Sequence, residues 1–379
     1  MQKLHMVDLA GQYQKIKPEI DAAIQNVINN TAFINGPDVK SFAAELQSYL
    51  NVAKVVPCAN GTDALQIAMM ALGLQQGDEV ISASFTYIAT VEVIALLKLT
   101  PVLVEVDPNT FCIDPAAIEK AITPKTKAIV PVHLFGQCAD MESILNIAHK
   151  HKLYVIEDVA QAIGATYTFS DGTKHKSGTM GDIGTTSFFP SKNLGCYGDG
   201  GAIFTNSAEL GNRIQMIANH GQSVQYVFDE VGCNSRLDTL QAAILRTKLK
   251  HLDAYAAARN HAASYYDKAF AKHPLIKIPV RNPKSTHVFH QYTLCLNGVN
   301  RDAIRSALAE RNIPAMIYYP IPVHQQKAYR SSRYHSGDFP ISEQLCKEVI
   351  SLPMHTELSE DQLKYITENF LEVVSSHQQ

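Results

Sequence analysis

From about residue 55 to 206, short apolar runs alternate with stretches whose apolar residues recur every three or four positions. The runs include DEVISAS, TPVLVEVD, KAIVPVHLFG, LYVIEDVA and GGAIFTN. Between them lie TDALQIAMMALGL, YIATVEVIALLKL, PAAIEKAIT and ADMESILNIAHKHK, each with helical spacing. Strands alternating with helices at this rhythm predict βαβ units and a mainly parallel sheet covered on both faces. After about residue 240 the pattern changes. The segment RLDTLQAAILRTKLKHLDAYAAARNHAASYYDKAF predicts one long amphipathic helix or two joined. Strand-like HQYTLCL, helical RDAIRSALAERN, strand-like AMIYYP and a helix near 359–374 follow. The expected division is a large α/β domain with an N-terminal arm over 1-245 and a smaller α+β domain over 246-379.

Composition narrows the class. With 379 residues, 46% hydrophobic and 18% charged, the chain has the make-up of an ordinary globular protein. The formal net charge is −3 and no basic block stands out, so there is no electrostatic case for nucleic acid. No run approaches the length of a membrane span, and MQKLHMVDLAGQYQ lacks a signal-peptide core. Seven scattered cysteines form no CxxC pair, and the histidines show no repeated metal spacing. A reducing, cytoplasmic setting without a disulfide framework or a metal site is expected.

The candidate chemistry centres on TSFFPSKNLGCYGDGGAIFTN, residues 186–206, where Lys192 stands between an aromatic run and a glycine-rich tail. Lysine is almost never fully buried without a partner. Four neighbouring features make sense together. In CANGTDALQI, Gly61 and Thr62 open a helix, where free amides suit a phosphate; alternatively Thr62 or Asn60 caps the helix. In LYVIEDVAQAIGA, Glu157 and Asp158 end a strand, either to meet a ligand or to cap a following helix. Ser187 adds a hydroxyl five residues before Lys192, and GCYGDGG allows positive φ and close backbone approach. One cofactor, pyridoxal 5′-phosphate, suits this set. Its aldehyde takes a lysine as a Schiff base, its ring nitrogen a carboxylate, and its phosphate amides and hydroxyls. Desolvation would hold the lysine partly neutral.

GTDAL, SFTYIAT, VIEDVAQAIGA, TSFFPSKNLGCYGDGGAIFTN and NSRLDTLQAAIL resemble the DegT-type sugar aminotransferases, in order and across nearly the whole chain. The resemblance implies a fold-type-I enzyme with a mainly parallel, seven-stranded sheet. It implies that Lys192 holds the cofactor, Asp158 its pyridine nitrogen and Gln161 its phenolic oxygen. Gly61, Thr62 and Ser187 would hold the phosphate, and Tyr87 would stack on the ring. Asn234 would reach the phosphate of a second subunit, which makes a homodimer with shared active sites. Lysine rather than histidine at 192 implies transamination rather than sugar dehydration.

The same resemblance is nearest to enzymes that aminate UDP-2-acetamido-2-deoxy-3-oxo-glucuronate, with L-glutamate as expected donor. Arg236 would bind a sugar or donor carboxylate, or make a structural ion pair. Asp229 and Glu230, just before it, stand where an anionic sugar would want basic residues. Tyr318, Tyr319 and His324 would line the sugar site, or the tyrosines simply pack; His220 would lie near the substrate phosphates or in a surface turn. The alternatives are a dTDP-3-oxo- or 4-oxo-6-deoxyhexose aminotransferase, and, in another class, a cofactor-binding regulator without turnover. A nucleotide-dependent oxidoreductase is disfavoured because G-x-G-x-x-G is absent after the early strands.

Overall fold

The computed structural model describes residues 3–377. Its central sheet has seven strands. In chain order the first nine strands are β1 (Lys54–Cys58), β2 (Glu79–Ala83), β3 (Thr100–Val104), β4 (Thr126–Ile129), β5 (Tyr154–Asp158), β6 (Thr166–Thr168), β7 (Lys174–Lys176), β8 (Ile183–Ser187) and β9 (Gly201–Thr205). The sheet runs β1-β9-β8-β5-β4-β2-β3, and β6 and β7 form a separate hairpin. β3, β2, β4, β5 and β8 are parallel, while β9 pairs antiparallel with both β8 and β1. The chain is thus an α/β protein with a mainly parallel sheet flanked by helices. Every residue of β2 and β9 is buried, as expected for strands covered on both faces.

The helices follow the predicted spacing closely. Gly61–Ala71 buries Ala64, Leu65, Ile67, Ala68 and Met69 in the core that also contains Ile156 and Ile203 of the sheet. Ala89–Leu96, Pro115–Ala121 and Met141–His151 complete the connections. The segment after residue 236 is two helices, Thr239–Leu249 and Leu252–Phe270. Two helices before β1 carry no counterpart in the sequence reading: Leu9–Asn29, capped by Asp8 Oδ1 on the Gly11 amide at 2.8 Å, and Pro37–Leu50. Both pack on Thr239–Leu249, through Ile20 against Ile244 and through the Arg246 contacts with Asp38 and Glu45.

A second core forms around the three-stranded antiparallel sheet Ile276–Lys277, Tyr292–Leu296 and Val349–Leu352. Tyr266 and Phe270 of the long helix, and Ile366 and Phe370 of the helix Glu360–Ser376, pack into it. The strand expected at AMIYYP does not form. Met316 alone pairs with Ser351, by backbone bonds of 3.0 and 2.7 Å. Pro314, Pro320 and Pro322 surround it and have no amide hydrogen for a ladder. Among the described residues no helix is long and apolar enough to cross a membrane.

Candidate active site

The carboxyl ends of β5 and β8 and the amino end of the helix Gly61–Ala71 meet at one cleft of about 540 Å³. Ligand sites of open α/β sheets lie beyond the carboxyl ends of their strands. Gly61, Thr62, Tyr87, Asp158, Gln161, Ser187, Lys192, Tyr318 and Tyr319 all line this cleft.

The helix end is built to leave donors free. Asn60 Oδ1 accepts from the Asp63 amide at 2.8 Å, so the cap is Asn60 and the Thr62 hydroxyl stays available. Among the described residues the amides of Gly61 and Thr62 donate to nothing. A Cβ on Gly61 would sit 2.7 Å from Ser187 Cβ, so glycine lets the helix start touch the end of β8. Gly201 likewise leaves no room, since its Cβ would lie 2.4 Å from the Asn60 carbonyl. None of Gly195, Gly198, Gly200 and Gly201 adopts positive φ; these glycines serve close approach instead of turning the chain.

The two residues ending β5 have different surroundings. Glu157 is fully buried and accepts from His133 Nε2 at 2.8 Å and from the amides of Gly178, Met180 and Gly181. It holds the loop after β7 and does not line the cleft. Asp158 does line it. Its Oδ2 accepts from Thr90 Oγ1 at 2.8 Å and its Oδ1 from the Ala160 amide at 3.1 Å. A turn, with no regular helix, follows it. The carboxylate is therefore oriented from two sides, and Asp158 is no helix cap.

Lys192 follows β8 in an irregular loop, its backbone amide bonded to the Phe189 carbonyl at 2.8 Å. Its amine has no carboxylate within ion-pair distance among the described residues. Burial pushes it down from 10.5 to about 8, against an upward pull from Asp158. At pH 7 about one-tenth of such an amine is neutral, against fewer than about one in a thousand for an ordinary lysine. That is the condition for a nucleophile or base.

The far wall is aromatic. Tyr87 is exposed, and its ring lies 6.1 Å from that of Tyr319. Gln161 Oε1 accepts from the Phe135 amide at 2.7 Å, and its Nε2 donates to the Tyr319 hydroxyl at 3.1 Å. Buried desolvation raises the Tyr319 phenol, so it is neutral. His290 and Gln291 also line the cleft, as do Thr185, Thr186, Ser191 and Phe189. Burial and the nearby Lys192 charge hold His290 well below its ordinary value. Nothing in FHQY marks His290 and Gln291 as site residues, because a hundred residues separate them from Lys192 and only the fold brings them in. Thr90 is different: it lies inside SFTYIAT, and its role beside Asp158 emerges only from the fold.

Four residues singled out in the sequence lie elsewhere. His324 is buried, with Nδ1 2.8 Å from Ser84 Oγ and Nε2 3.0 Å from Glu343, and does not line the cleft. His220 is exposed in a turn with φ of 63°. Asn234 is exposed. Arg236 opens on a separate concavity of about 1010 Å³, with Lys40, Lys54 and Arg213. That concavity is the larger of the two but contains none of the strand-end groups. Ser235, between Asn234 and Arg236, is buried and ties this segment to the helix start through the Ala59 amide and Asp63.

A cleft at the strand ends with a partly neutral lysine, an oriented carboxylate and free helix-end amides defines a class of enzyme that handles amines. The chain belongs to the DegT/DnrJ/EryC1/StrS aminotransferase family, whose pattern matches residues 14–371. It is a sugar aminotransferase. It is 44% identical to the UDP-2-acetamido-2-deoxy-3-oxo-D-glucuronate aminotransferase of Pseudomonas aeruginosa over 96% of this chain and 98% of that one. It is 45% identical to a pleiotropic regulatory protein of Geobacillus stearothermophilus over 97% of each. Among solved structures, S. venezuelae DesV in complex with a ketimine intermediate superposes with a TM-score of 0.94 at 38% identity, covering 99% of both chains.

Proposed function

We propose that this enzyme uses pyridoxal 5′-phosphate to move an amino group from L-glutamate to a nucleotide-linked keto-sugar, a UDP-2-acetamido-2-deoxy-3-oxo sugar or its uronate. The observation that carries this is the placing of Lys192 and Asp158 in one cleft that is also lined by the free amides of Gly61 and Thr62 and the hydroxyls of Thr62 and Ser187. The residues fit the cofactor. Gly61 lets the helix start touch Ser187, so the free helix-end amides lie beside the Ser187 hydroxyl, and the Thr62 hydroxyl has no protein partner among the described residues. When bound, pyridoxal phosphate supplies an aldehyde for amine capture and a ring that holds an electron pair.

The chain's own residues supply the rest. Lys192 provides the amine that anchors the aldehyde and, once free, takes and returns a proton at Nζ. Asp158, fixed by Thr90 and Ala160, keeps a proton on the ring nitrogen. The amides of Gly61 and Thr62 and the hydroxyls of Thr62 and Ser187 bind the phosphate. Ser187 Oγ already accepts from the Phe189 amide at 3.2 Å, which leaves its hydrogen to donate. Gln161 retains one free N–H for the phenolic oxygen, because its other groups are engaged with Phe135 and Tyr319. Tyr87 would cover the ring face, and Tyr318 and Tyr319, which line the same cleft, would border the sugar.

The site is completed by a second copy. Lys192 is the one lysine or arginine lining the cleft among the described residues, so a donor or sugar carboxylate needs a cation from outside. Asn234 and Arg236, neither of which lines the cleft of its own chain, supply the phosphate contact and that cation in a homodimer. Glu230 does not oppose an anionic sugar, since Arg213 holds it at 3.0 Å. The seven unpaired cysteines suit a cytoplasmic enzyme.

The test is spectroscopic. Purified protein should be yellow, and its absorbance should shift on adding L-glutamate. Adding UDP-2-acetamido-2-deoxy-3-oxo-glucuronate should restore the first spectrum and yield the amino sugar by mass spectrometry. Cofactor binding with no change on glutamate, alanine or glutamine would mark a binder without turnover.

A further inference from the structure

A second buried lysine lies behind the cleft. Lys248, on the helix Thr239–Leu249, is 1% exposed and has no carboxylate partner among the described residues. Lysine in such a place is exceptional, because an uncompensated buried charge is costly. Its Nζ donates to the Gly195 carbonyl at 2.7 Å and sits 4.7 Å from the centre of the Tyr197 ring. Burial pushes this amine, too, down to about 8. Lys248 lines neither concavity, so it meets no ligand.

Both of these contacts of its amine fall on the loop that carries Lys192. Gly195 is three residues after Lys192 and packs against the start of its own loop, where a Cβ would lie 2.3 Å from the Pro190 carbonyl. Gln241, seven residues before Lys248 and so on the same helix face, accepts from the Tyr197 amide at 2.8 Å. Asn193 Nδ2 donates to the Val288 carbonyl at 2.8 Å. The Tyr197 ring continues the chain of contacts to Tyr13 of the first helix, 6.2 Å away and edge-on. The turn from 189 to 195 has no regular secondary structure of its own. Besides the backbone bonds from the Lys192 amide to the Phe189 carbonyl and from the Cys196 amide to the Phe188 carbonyl, these side chains hold it in place.

We propose that Lys248 is a positioning residue for Lys192: by fixing the Gly195 carbonyl and the Tyr197 ring, it sets where the loop presents the Lys192 amine in the cleft. This rests on the role given to Lys192 above. An amine misplaced by an ångström meets an aldehyde far less often. A buried donor on a long four-carbon stem suits the task, since it carries the N–H from the helix to the Gly195 carbonyl.

The experiment adds pyridoxal 5′-phosphate to apo-protein and follows absorbance as the cofactor is captured, well below the melting temperature. Borohydride reduction and peptide mapping then locate the label. Lys248→Met keeps the shape and removes the donor. It should slow capture about tenfold, with the label still on Lys192. Leu363→Ala, which opens the second core, should lower the melting temperature and capture at the wild-type rate. Should Lys248→Met not fold, Lys248→Gln, whose shorter amide falls short of Gly195, is read on the same scale. Capture at the wild-type rate in the folded variant overturns the proposal. Equal slowing in Leu363→Ala overturns it as well, because general loosening then accounts for the effect. A label on another lysine in wild-type protein removes the role of Lys192 itself, a failure distinct from both.

Discussion

Lys192 and Lys248 are both pushed down to about 8, and in both the dominant cause is burial. Their surroundings differ in every other respect. Lys192 faces a cleft shared with Asp158 and has no carbonyl or carboxylate partner on its amine among the described residues. Lys248 faces packed protein and spends its donor on Gly195. A lowered pKa therefore does not pick out the reactive amine, because desolvation acts on any buried lysine. Access and an idle nitrogen do.

Lys192→Ala puts the largest strain on that contrast. Turnover should be lost while the far-UV spectrum stays intact, and no pyridoxyl label should appear after reduction. A Lys192→Ala protein still labelled at Lys248 would reverse the assignment. Asp158→Asn comes next. A neutral amide cannot hold the ring nitrogen protonated, so glutamate turnover should fall by about 10²–10³-fold. Cofactor retention should also weaken, by about 1.5–3 kcal/mol for a lost charge-assisted bond. Wild-type turnover in Asp158→Asn would leave the cleft without its electrostatic partner.

Mixing Lys192→Ala with Asn234→Asp asks whether the cleft is completed by a second copy. A mixed dimer has one site with both lesions and one with neither, so activity should return to about a quarter of wild type per subunit. No recovery after demonstrated subunit exchange would return Asn234 to its own chain.

A smaller effect concerns stability against pH. The folded state lowers the Lys192 pKa from 10.5 to about 8, so burial penalises the charged form. Below about pH 8 that penalty is fully present. Between there and 10.5 the unfolded chain binds more protons than the folded one, and wild-type stability rises with pH. Apo Lys192→Met should therefore be more stable than wild type at pH 7, with the gap closing as pH rises towards 10.5. Melting curves across pH check this, and a constant gap would show that Lys192 is not desolvated. The smallest effect is expected of Asn60→Ala, which removes the cap that frees Thr62. It should cost about 1 kcal/mol in urea unfolding.

Much of this site was legible along the chain. Lys192 stands out because an ammonium interrupts TSFFPSKNLG, and Asp158 because a carboxylate ends an apolar strand. Both signals sit within a few residues of the group itself. The alternating runs likewise announced a mainly parallel sheet, since strands buried on both faces must be apolar throughout. Other features were decided by distant contacts more than by their local signals, the Asp8 cap and Pro37 at a helix start among them. Leu9–Asn29 and Pro37–Leu50 gain their stability from Thr239–Leu249, a partner two hundred residues away. AMIYYP has the composition of a strand, yet flanking prolines leave one residue, Met316, bridged to the strand Val349–Leu352.

Lys248 marks where local pattern stops. In LRTKLKHLD, Lys248 and Lys250 are two residues apart and chemically identical, yet Lys248 is buried and Lys250 exposed. The sequence by itself determined which groups were available: an amine after β8, a carboxylate at the end of β5, glycine and threonine at a helix start. Only the tertiary structure decided that these three ends converge, that His324 and Arg236 face elsewhere, and that one ordinary-looking lysine holds the loop of another. Chemistry belongs to residue types and short spacings, which the chain carries locally. Burial and convergence belong to contacts between distant segments, which exist only once the core has closed.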